Sequence, residues 1–453
     1  MKKLLVILMV LSVAMMAFAQ GGSEAQTTKA EEPTGPIQVE FWSTWTGGTG
    51  EKVQQMADDF NASQDKYVVT VVYNGGYADS WAKLVSLPRE EWPELVFMNA
   101  ERMASLLYED GLCTPMQKFV DEDKFDLSDI QASLIGHYSD SNGNLIMMPM
   151  GNTVVGFFYN AEMCAAAGVD PYSIKHFPDL LEAARTVAAK TDCKTPVALG
   201  RNAIYYTFLI TAEGLKVLDN NNGRDAFPTK VLLDQPEQRK ATIEYFETIQ
   251  ALAKEGLMHP YAGSTQDLTD RFGMQQCCFE FMTCSICSGV YRVAQANGMF
   301  DFGFLPAPSA SADGTVLATP SGGGGLFIPA NGDDAAQRGA WEFVKFITQP
   351  KYTSIFARQT GYLPITKSTA NEPEYQEYMK TVFKTAQYVM DFQAASDPSA
   401  SYTMAWPSGM DPSTVINQAI DAVMADPTLD IPTVVDGIQA ALQEQLDLVN
   451  AIR

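Results

Sequence analysis

The sequence has few basic residues and very few histidines. It contains 31 lysines and arginines against 54 aspartates and glutamates, so its formal net charge is −23. A chain this acidic is not expected to bind nucleic acid or an anionic membrane surface. The three histidines (His137, His176 and His259) are scattered, and no H-E-x-x-H, P-loop or G-x-S-x-G motif occurs. These absences predict a protein that is not an enzyme and needs no metal or cofactor.

Cysteine is also scarce, and its count of seven is odd. At least one thiol is therefore expected to stay unpaired within the chain. Cys277, Cys278, Cys284 and Cys287 lie close together in the sequence. The apolar stretch at 277–282 indicates a buried strand, in which cysteine acts as a small hydrophobe. A disulfide, or a metal or redox pair at the spacing of Cys284 and Cys287, is the alternative.

Long apolar runs are absent except at the N-terminus. Lys2 and Lys3 precede an uncharged apolar run, and A-F-A at 17–19 gives a small-x-small cleavage pattern. We predict a cleavable signal peptide over 1–19, because the run is short for a spanning helix. The sequence around the cleavage position has no cysteine for a lipid anchor, so a periplasmic or otherwise extracytoplasmic protein is expected. Residues 20–36 are rich in Gly, Ser, Glu and Thr and predict a disordered leader.

From residue 37 onward, strand patterns alternate with helix patterns. Residues 37–41 and 68–73 alternate or cluster β-branched residues as strands do. Between them, Val53, Met56 and Phe60 repeat at helical spacing. The alternation predicts an α/β fold with largely parallel sheets. The chain is too long for one ordinary core, which indicates two lobes.

Several segments, in order, resemble a known family. They are F-W-S-T-W at 41–45, P-E-L-V at 93–96, N-G-N-L-I-M-M-P at 142–149, F-F-Y-N at 157–160 and A-W-E-F-V-K-F-I at 340–347. Together they resemble the extracellular solute-binding proteins of carbohydrate-type ABC importers. The resemblance implies a two-lobe, type II periplasmic-binding-protein fold. Its N-terminal lobe would comprise 37–151 and 322–372, and its C-terminal lobe 152–321 and 373–453. It further implies a monomer that captures a small polar ligand between the lobes and delivers it to membrane permease subunits.

Three segments are similar to the glycerol-3-phosphate-binding branch of that family. They are T-G-Y-L-P-I-T-K at 360–367, H-Y-S-D-S at 137–141 and D-Q-P-E-Q at 234–238. The ligand-binding residues that the branch implies are Tyr77, Glu101, Thr153, Thr283, Gly323 and Tyr362, with Asn152 as the alternative to Thr153.

The sequence departs from this branch at two places. The branch has two tryptophans in a segment that reads G-R-N-A-I at 200–204, and it has a phosphate-binding arginine where this chain has no arginine between Arg358 and Arg453. Because a phosphate needs a cationic donor, we expect Arg201 to supply one, with a solvated loop arginine as the alternative. Trp45 and Trp406 are candidate aromatic platforms, although either could belong to the core.

The expected solute is a glycerophosphodiester, glycerol-3-phosphate or a sugar. Aromatic faces suit the C–H surface of such a molecule, and hydroxyl and carboxylate groups suit its hydroxyls. An exported hydrolase of glycosidic or phosphodiester bonds, and a surface adhesin or scaffold on the same fold, are the alternative functions.

Overall fold

A computed structural model describes residues 35–108, 111–259, 264–397, 400 and 402–453, without the side chain of Glu101. The predicted signal peptide and nearly all of the predicted leader lie outside the described residues. We describe the unit from Ile37 to Arg453. Its strands are β1 (Ile37–Ser43), β2 (Tyr67–Tyr73), β3 (Leu95–Asn99), β4 (Cys113–Thr114), β5 (Met148–Asn160), β6 (Val197–Leu199), β7 (Phe279–Thr283), β8 (Phe302–Pro306) and β9 (Ser321–Pro329).

Helices follow most strands. They are α1 (Gly47–Ser63), α2 (Tyr77–Ser86), α3 (Met103–Tyr108), α4 (Met116–Asp123), α5 (Ala132–His137), α6 (Ala161–Ala167), α7 (Asp179–Lys190), α8 (Ala203–Ala212), α9 (Pro236–Lys254), α10 (Thr265–Gly273), α11 (Cys287–Asn297), α12 (Asp334–Ile347), α13 (Pro350–Thr360), α14 (Pro373–Thr381), α15 (Ala386–Ala395), α16 (Pro412–Ala425) and α17 (Ile431–Ala451). None of these helices is long and apolar enough to cross a membrane.

The strands join in the order β2-β1-β3-β9-β5-β7-β6, with β4 beside β9 and β8 beside β5. Strand β1 is parallel to β2 and β3, and β6 is parallel to β7, as helical crossovers require. The long strands β5 and β9 run antiparallel to each other and to their other partners. These two strands therefore connect one half of the sheet to the other.

The core consists of two hydrophobic clusters. The first cluster lies within 39–150 and 326–365, and the second within 154–310 and 357–446. Their boundary falls in β5, between Met150 and Val154. Large side chains such as Trp42 and Tyr245 are at most 2% exposed, and each contributes about 1.5–3 kcal/mol by leaving water. Two cores of this kind are what a chain of this length needs.

The cysteines occupy the buried positions that the apolar pattern predicts. Cys277, Cys278, Cys284 and Cys287 are each no more than 1% exposed, and all seven described cysteines are free thiols. Cys278 Sγ lies 3.6 Å from Cys164 Sγ, a contact rather than a bond. Burial raises the pKa of Cys284 to about 11. These thiols therefore stay protonated and pack as small apolar groups.

Candidate ligand-binding site

A cavity of about 760 Å³ opens where the two hydrophobic clusters meet. The first cluster supplies residues 76–79, 99–100, Arg102 and Tyr362 to its wall. The second supplies 202–205, 207–208, Thr283, Ser285, 403–404, 406–407 and 410–413. Thr153 on β5 and residues 322–323 on β9 line the cavity between these walls. The cavity is therefore bounded by both halves of the sheet and by the two strands that join them.

Two tyrosines shape the wall of the first cluster. Tyr77 is the first residue of α2, and Tyr362 follows the left-handed C-cap Gly361, with its ring stacked on Phe356 at 5.5 Å. Burial raises the pKa of Tyr362 to about 12, and burial beside Tyr362 raises the pKa of Tyr77. Both phenols remain protonated at neutral pH. Each tyrosine therefore presents a phenol hydroxyl that can hydrogen-bond to a solute and an aromatic face that can pack against it.

The strands between the walls bring backbone close to the cavity. Gly323 has φ +101°, and a Cβ there would collide with the carbonyl oxygen of Gly151. Only glycine fits this position, because a side chain would be both strained and obstructed. The neighbouring hydroxyls are Thr153 Oγ1, 3.4 Å from Cys284 Sγ, and Thr283 Oγ1, 2.7 Å from Ser285 Oγ.

The wall of the second cluster is built from helix N-termini. Asn202 caps α8 by accepting from Ile204 N at 3.0 Å, and the hydroxyl of Ser413 donates to Asn202 Oδ1 at 3.1 Å. Ser413 lies in the first turn of α16. The first turns of α2, α8 and α16 all contribute lining residues. Helix N-termini carry partial positive charge, so this arrangement favours an anionic group in the cavity, while Asn202 and Asp411 already accept from N–H groups at the start of α8 and α16.

The charged residues of the cavity are few. Among the described lining residues, Arg102 is the basic one, and its guanidinium lies 5.4 Å above the ring of Trp81. Asp79 and Asp411 also line the cavity, and each accepts a backbone N–H at the start of its helix. Arg102 is not among the predicted site residues, because no motif or spacing in the sequence distinguishes it from other surface arginines.

Six of the predicted site residues come together at the cavity. They are Tyr77, Thr153, Thr283, Gly323, Tyr362 and Trp406. Glu101 lies in a short 3-10 helix (Ala100–Arg102), and its side chain is outside the described part.

Two further predicted residues lie beside the cavity without lining it. Trp45 packs its ring 3.8 Å from that of Phe97 and 4.9 Å from that of Phe356, so it belongs with the first cluster. Asn152 is fully buried, and its amide exchanges hydrogen bonds of 2.9 and 3.1 Å with Gln393. In this structure Trp45 therefore packs within the first cluster, and Asn152 joins β5 to α15 through Gln393.

Arg201, the expected cationic contact, is not among the described residues that line the cavity. Its guanidinium pairs with Asp421 and also donates to the carbonyl oxygen of Asn417. Both partners lie on α16. This helix packs against α8, which begins two residues after Arg201. Arg201 therefore already has a carboxylate partner in this structure, and its contact with a phosphate stays a prediction. Arg102, on the opposite wall, is the basic residue among the described residues that line the cavity.

The chain is similar in sequence to a protein family and to named periplasmic proteins. The profile of bacterial extracellular solute-binding proteins matches residues 55–384. The sn-glycerol-3-phosphate-binding periplasmic protein UgpB of Yersinia pseudotuberculosis is 25% identical over 394 residues, spanning 85% of this chain and 87% of that relative. The protein of the same name from Brucella abortus is 23% identical over 350 residues, spanning 75% and 77%.

Solved structures share the fold. UgpB of Mycobacterium tuberculosis in complex with glycerophosphocholine gives a TM-score of 0.71 at 21% identity, over 93% of this chain and 100% of that chain. The sugar-binding protein MalE of Xanthomonas citri gives 0.74 at 16% identity, over 92% and 99%. The predicted α/β, two-lobe fold is therefore confirmed, and the family match confirms the prediction of a solute-binding protein. The chain belongs to the family of bacterial extracellular solute-binding proteins.

Proposed function

We propose that this protein captures a glycerophosphodiester between its two lobes and delivers it to the permease subunits of an ABC importer. The observation that carries the proposal is the cavity of about 760 Å³, in which aromatic faces, hydroxyls, three helix N-termini and Arg102 converge. The proposed lobes comprise 37–151 with 322–372 and 152–321 with 373–453. In this proposal the protein acts outside the cytoplasm as a monomer, after its signal peptide has been cleaved.

The glycerol part of the solute matches the centre of the cavity. Tyr77 and Tyr362 present phenols that stay protonated, and Thr153 and Thr283 add hydroxyls that both donate and accept. Trp406 is 9% exposed and lines the same space, so its ring covers C–H surface. A small polyol therefore finds apolar faces and hydrogen-bonding groups within one enclosure.

The two ends of a phosphodiester match the charges of the cavity. Its phosphate suits Arg102 and the positive end of the α8 dipole, where Asn202 and Ala203 lie. A cationic or hydroxylated head group suits the carboxylates of Asp79 and Asp411 together with the aromatic faces. The relatives named for sn-glycerol-3-phosphate, and the structure that contains glycerophosphocholine, support this class of solute.

Solute capture is proposed to close the lobes. The solute touches both walls and so favours the closed form by its difference in affinity for the two forms. The strands β5 and β9 cross between the lobes and provide the hinge. A closed, loaded form then docks on the permease.

The experiment is a thermal unfolding series on protein that has been refolded to remove any carried-over solute. Glycerophosphocholine, glycerol-3-phosphate, glucose and maltose are added in turn. At about one hundred times its dissociation constant, a true solute stabilises the folded state by about 2.7 kcal/mol. For a chain of this length, that corresponds to a rise of a few degrees in Tm. We expect glycerophosphocholine to give the largest rise.

Two matched arginine variants test the phosphate contact. Arg102→Gln should weaken glycerophosphocholine binding by at least about tenfold, since it removes a charged donor. Arg201→Gln should leave the dissociation constant within about twofold, because Arg201 pairs with Asp421. Equal losses in the two variants would contradict the assignment of Arg102. If only the sugars stabilise the protein, the solute is a sugar and not a glycerophosphodiester. Release of choline or glycerol phosphate from the added solute would favour the hydrolase alternative.

A further inference from the structure

The two hydrophobic clusters also meet away from the crossing strands, next to a turn of unusual handedness. Asp219–Gly223 forms a left-handed turn, in which the asparagines at 220–222 have φ between 50 and 58°. Asparagine and glycine tolerate this conformation better than other residues, which accounts for the run D-N-N-N-G. Asn222 fixes the turn, because its Oδ1 accepts from Val217 N at 2.8 Å and from Leu218 N at 3.1 Å. The turn is therefore a rigid part of the second cluster's surface.

Arg224 follows this turn and bridges the clusters. It is only 5% exposed, and it forms no ion pair with a described carboxylate. Its Nε donates to the carbonyl oxygen of Thr403 at 2.9 Å, and its Nη1 donates to the carbonyl oxygen of His137 at 2.6 Å. Burial lowers the pKa of Arg224 to about 10, so the guanidinium is charged at neutral pH. Thr403 adjoins the second cluster and His137 adjoins the first. The single guanidinium of Arg224 therefore binds backbone carbonyl groups on both sides.

Other contacts reinforce the bridge. The hydroxyl of Tyr108, at the end of α3, donates to the carbonyl oxygen of Gly223 at 2.8 Å. Gly136 in α5 lies directly against the hydroxyl of Tyr402, so a side chain there would collide with it. The guanidinium of Arg224 lies 5.7 Å above the ring of the same tyrosine. Two helices of the first cluster's half, α3 and α5, therefore contact the second cluster's half at this place.

We propose that Tyr108, His137, Gly223, Arg224 and Tyr402 form a clasp that holds the lobes closed over the bound solute. The clasp rests on the lobe closure of the proposed function, and it borders the cavity because the Thr403 that accepts from Arg224 is itself a lining residue.

The clasp acts on solute release. Its hydrogen bonds exist only while the lobes touch, so they stabilise the closed form and not the open one. Apparent affinity scales with the population of the binding-competent form, so the clasp sets how slowly the solute leaves. Arg224 is a positioning residue, since it does not line the cavity.

The test compares Arg224→Gln, Tyr108→Phe and the control Arg239→Gln in the mature protein. Arg239 lies on the same half of the chain but pairs with Asp436 outside the cavity. The probe is glycerophosphocholine, and its dissociation is followed by stopped-flow tryptophan fluorescence. Arg224→Gln is expected to speed dissociation by about tenfold or more, and Tyr108→Phe by about threefold. Association should change less than about threefold, and Arg239→Gln should match the wild type.

Small-angle scattering without solute gives a readout that does not depend on the proposed solute. Part of the solute-free population is closed in this proposal, since the clasp contacts involve no solute atom. The wild type and Arg239→Gln should therefore show the same radius of gyration, and Arg224→Gln a larger one. Tyr108→Phe removes a single hydroxyl and keeps the test open should Arg224→Gln fold poorly. Wild-type dissociation rates and scattering profiles in both clasp variants would overturn the clasp. A wild type that binds no phosphodiester, yet opens when Arg224 is replaced, would overturn the proposed solute and leave the clasp standing.

Discussion

The two halves of this protein are joined in two physically different ways. At the crossing strands, β5 and β9 run continuously from one cluster to the other and are held by backbone hydrogen bonds. The fully buried amide of Asn152 adds a ring of hydrogen bonds with Gln393, which also donates to Ser321 Oγ at 2.9 Å. At the clasp, by contrast, the halves meet through side chains that reach to backbone carbonyls. The first junction has to persist when the lobes open, whereas the second has to break.

This difference separates stability from solute release. A change at the crossing strands removes interactions present in both open and closed forms, so it should lower the free energy of unfolding. A change at the clasp removes interactions present in the closed form alone, so it should alter binding kinetics more than unfolding. The following variants test that separation.

The largest effect is expected from Gly323→Ala on β9. The substitution places a Cβ against the carbonyl oxygen of Gly151 at φ +101°, so strain and collision add. We expect the free energy of unfolding to fall by about 3 kcal/mol or more. Urea denaturation followed by circular dichroism measures this change.

Gly143→Ala is the matched control for that strain. Gly143 has φ +84°, and a Cβ there has nothing within 4 Å. Only the backbone term then remains, so the loss should be about 1–2 kcal/mol. Equal losses at Gly143 and Gly323 would show that the close approach of β5 and β9 is not a specific requirement.

A smaller effect is expected from Gln393→Leu in α15. Leucine cannot replace the three hydrogen bonds of Gln393, so the amide of Asn152 is left buried without a partner. We expect the free energy of unfolding to fall by about 2 kcal/mol. The dissociation rate of glycerophosphocholine should stay within about twofold of the wild-type rate, in contrast to Arg224→Gln.

The double variant Asn152→Leu with Gln393→Leu checks the cause. Replacing both polar partners by apolar groups removes the unsatisfied amide, so part of the lost stability should return. If the double variant is less stable than Gln393→Leu by the full cost of a second core substitution, packing rather than hydrogen bonding governs this junction.

The smallest effect is a pH dependence of solute binding through His137. Burial, and then the charge of Arg224, lower the pKa of His137 well below its usual value. Its Nδ1 lies 3.4 Å from Arg224 Nη2 and must be unprotonated to accept, while Tyr138 and Tyr402 are the other titratable groups near it. Closing the lobes therefore disfavours protonated His137. Closure is fully favoured at a pH above the ordinary range of a histidine pKa, and it weakens as the pH falls through and below that range.

Isothermal titration with glycerophosphocholine at several pH values measures this effect. We expect the dissociation constant to rise by about tenfold between pH 7.5 and pH 5.5. His137→Gln should flatten the profile, because glutamine can still accept from Arg224 and does not titrate in this range. An unchanged slope in this variant would assign the pH dependence to another group.

The cavity residues that the sequence predicted came from the family resemblance, and their local structure agrees with their place in the cavity. Tyr362 follows Gly361 in a segment that ends a helix, and Thr153 and Gly323 lie on long apolar strands whose register brings them together. Trp341 is likewise a core residue, as its position on an apolar helix face predicts, with 0% exposure. In each case the local pattern sets the conformation, and the family motif sets the place.

The residues that the sequence did not reveal depend on long-range pairing. Arg201 and Arg102 look alike as loop arginines, but Arg201 has Asp421 within reach across 220 positions of sequence, whereas Arg102 faces the cavity. His137 and Arg224 are 87 positions apart and share no motif. Such contacts arise only when α5, α8, α16 and the left-handed turn are packed against one another.

The sequence alone therefore determined the α/β class, the alternation of strands and helices, the burial of the cysteines and the family. The class, the alternation and the burial follow from local periodicity and composition, which act within a few residues, whereas the family follows from the resemblance of motifs in order along the chain. Tertiary structure alone decided which arginine lines the cavity, where the three helix N-termini converge and which residues bridge the two clusters. The physical reason is that charge and hydrogen-bond partners are selected by distance in space, which the folded sheet creates and the linear chain does not contain.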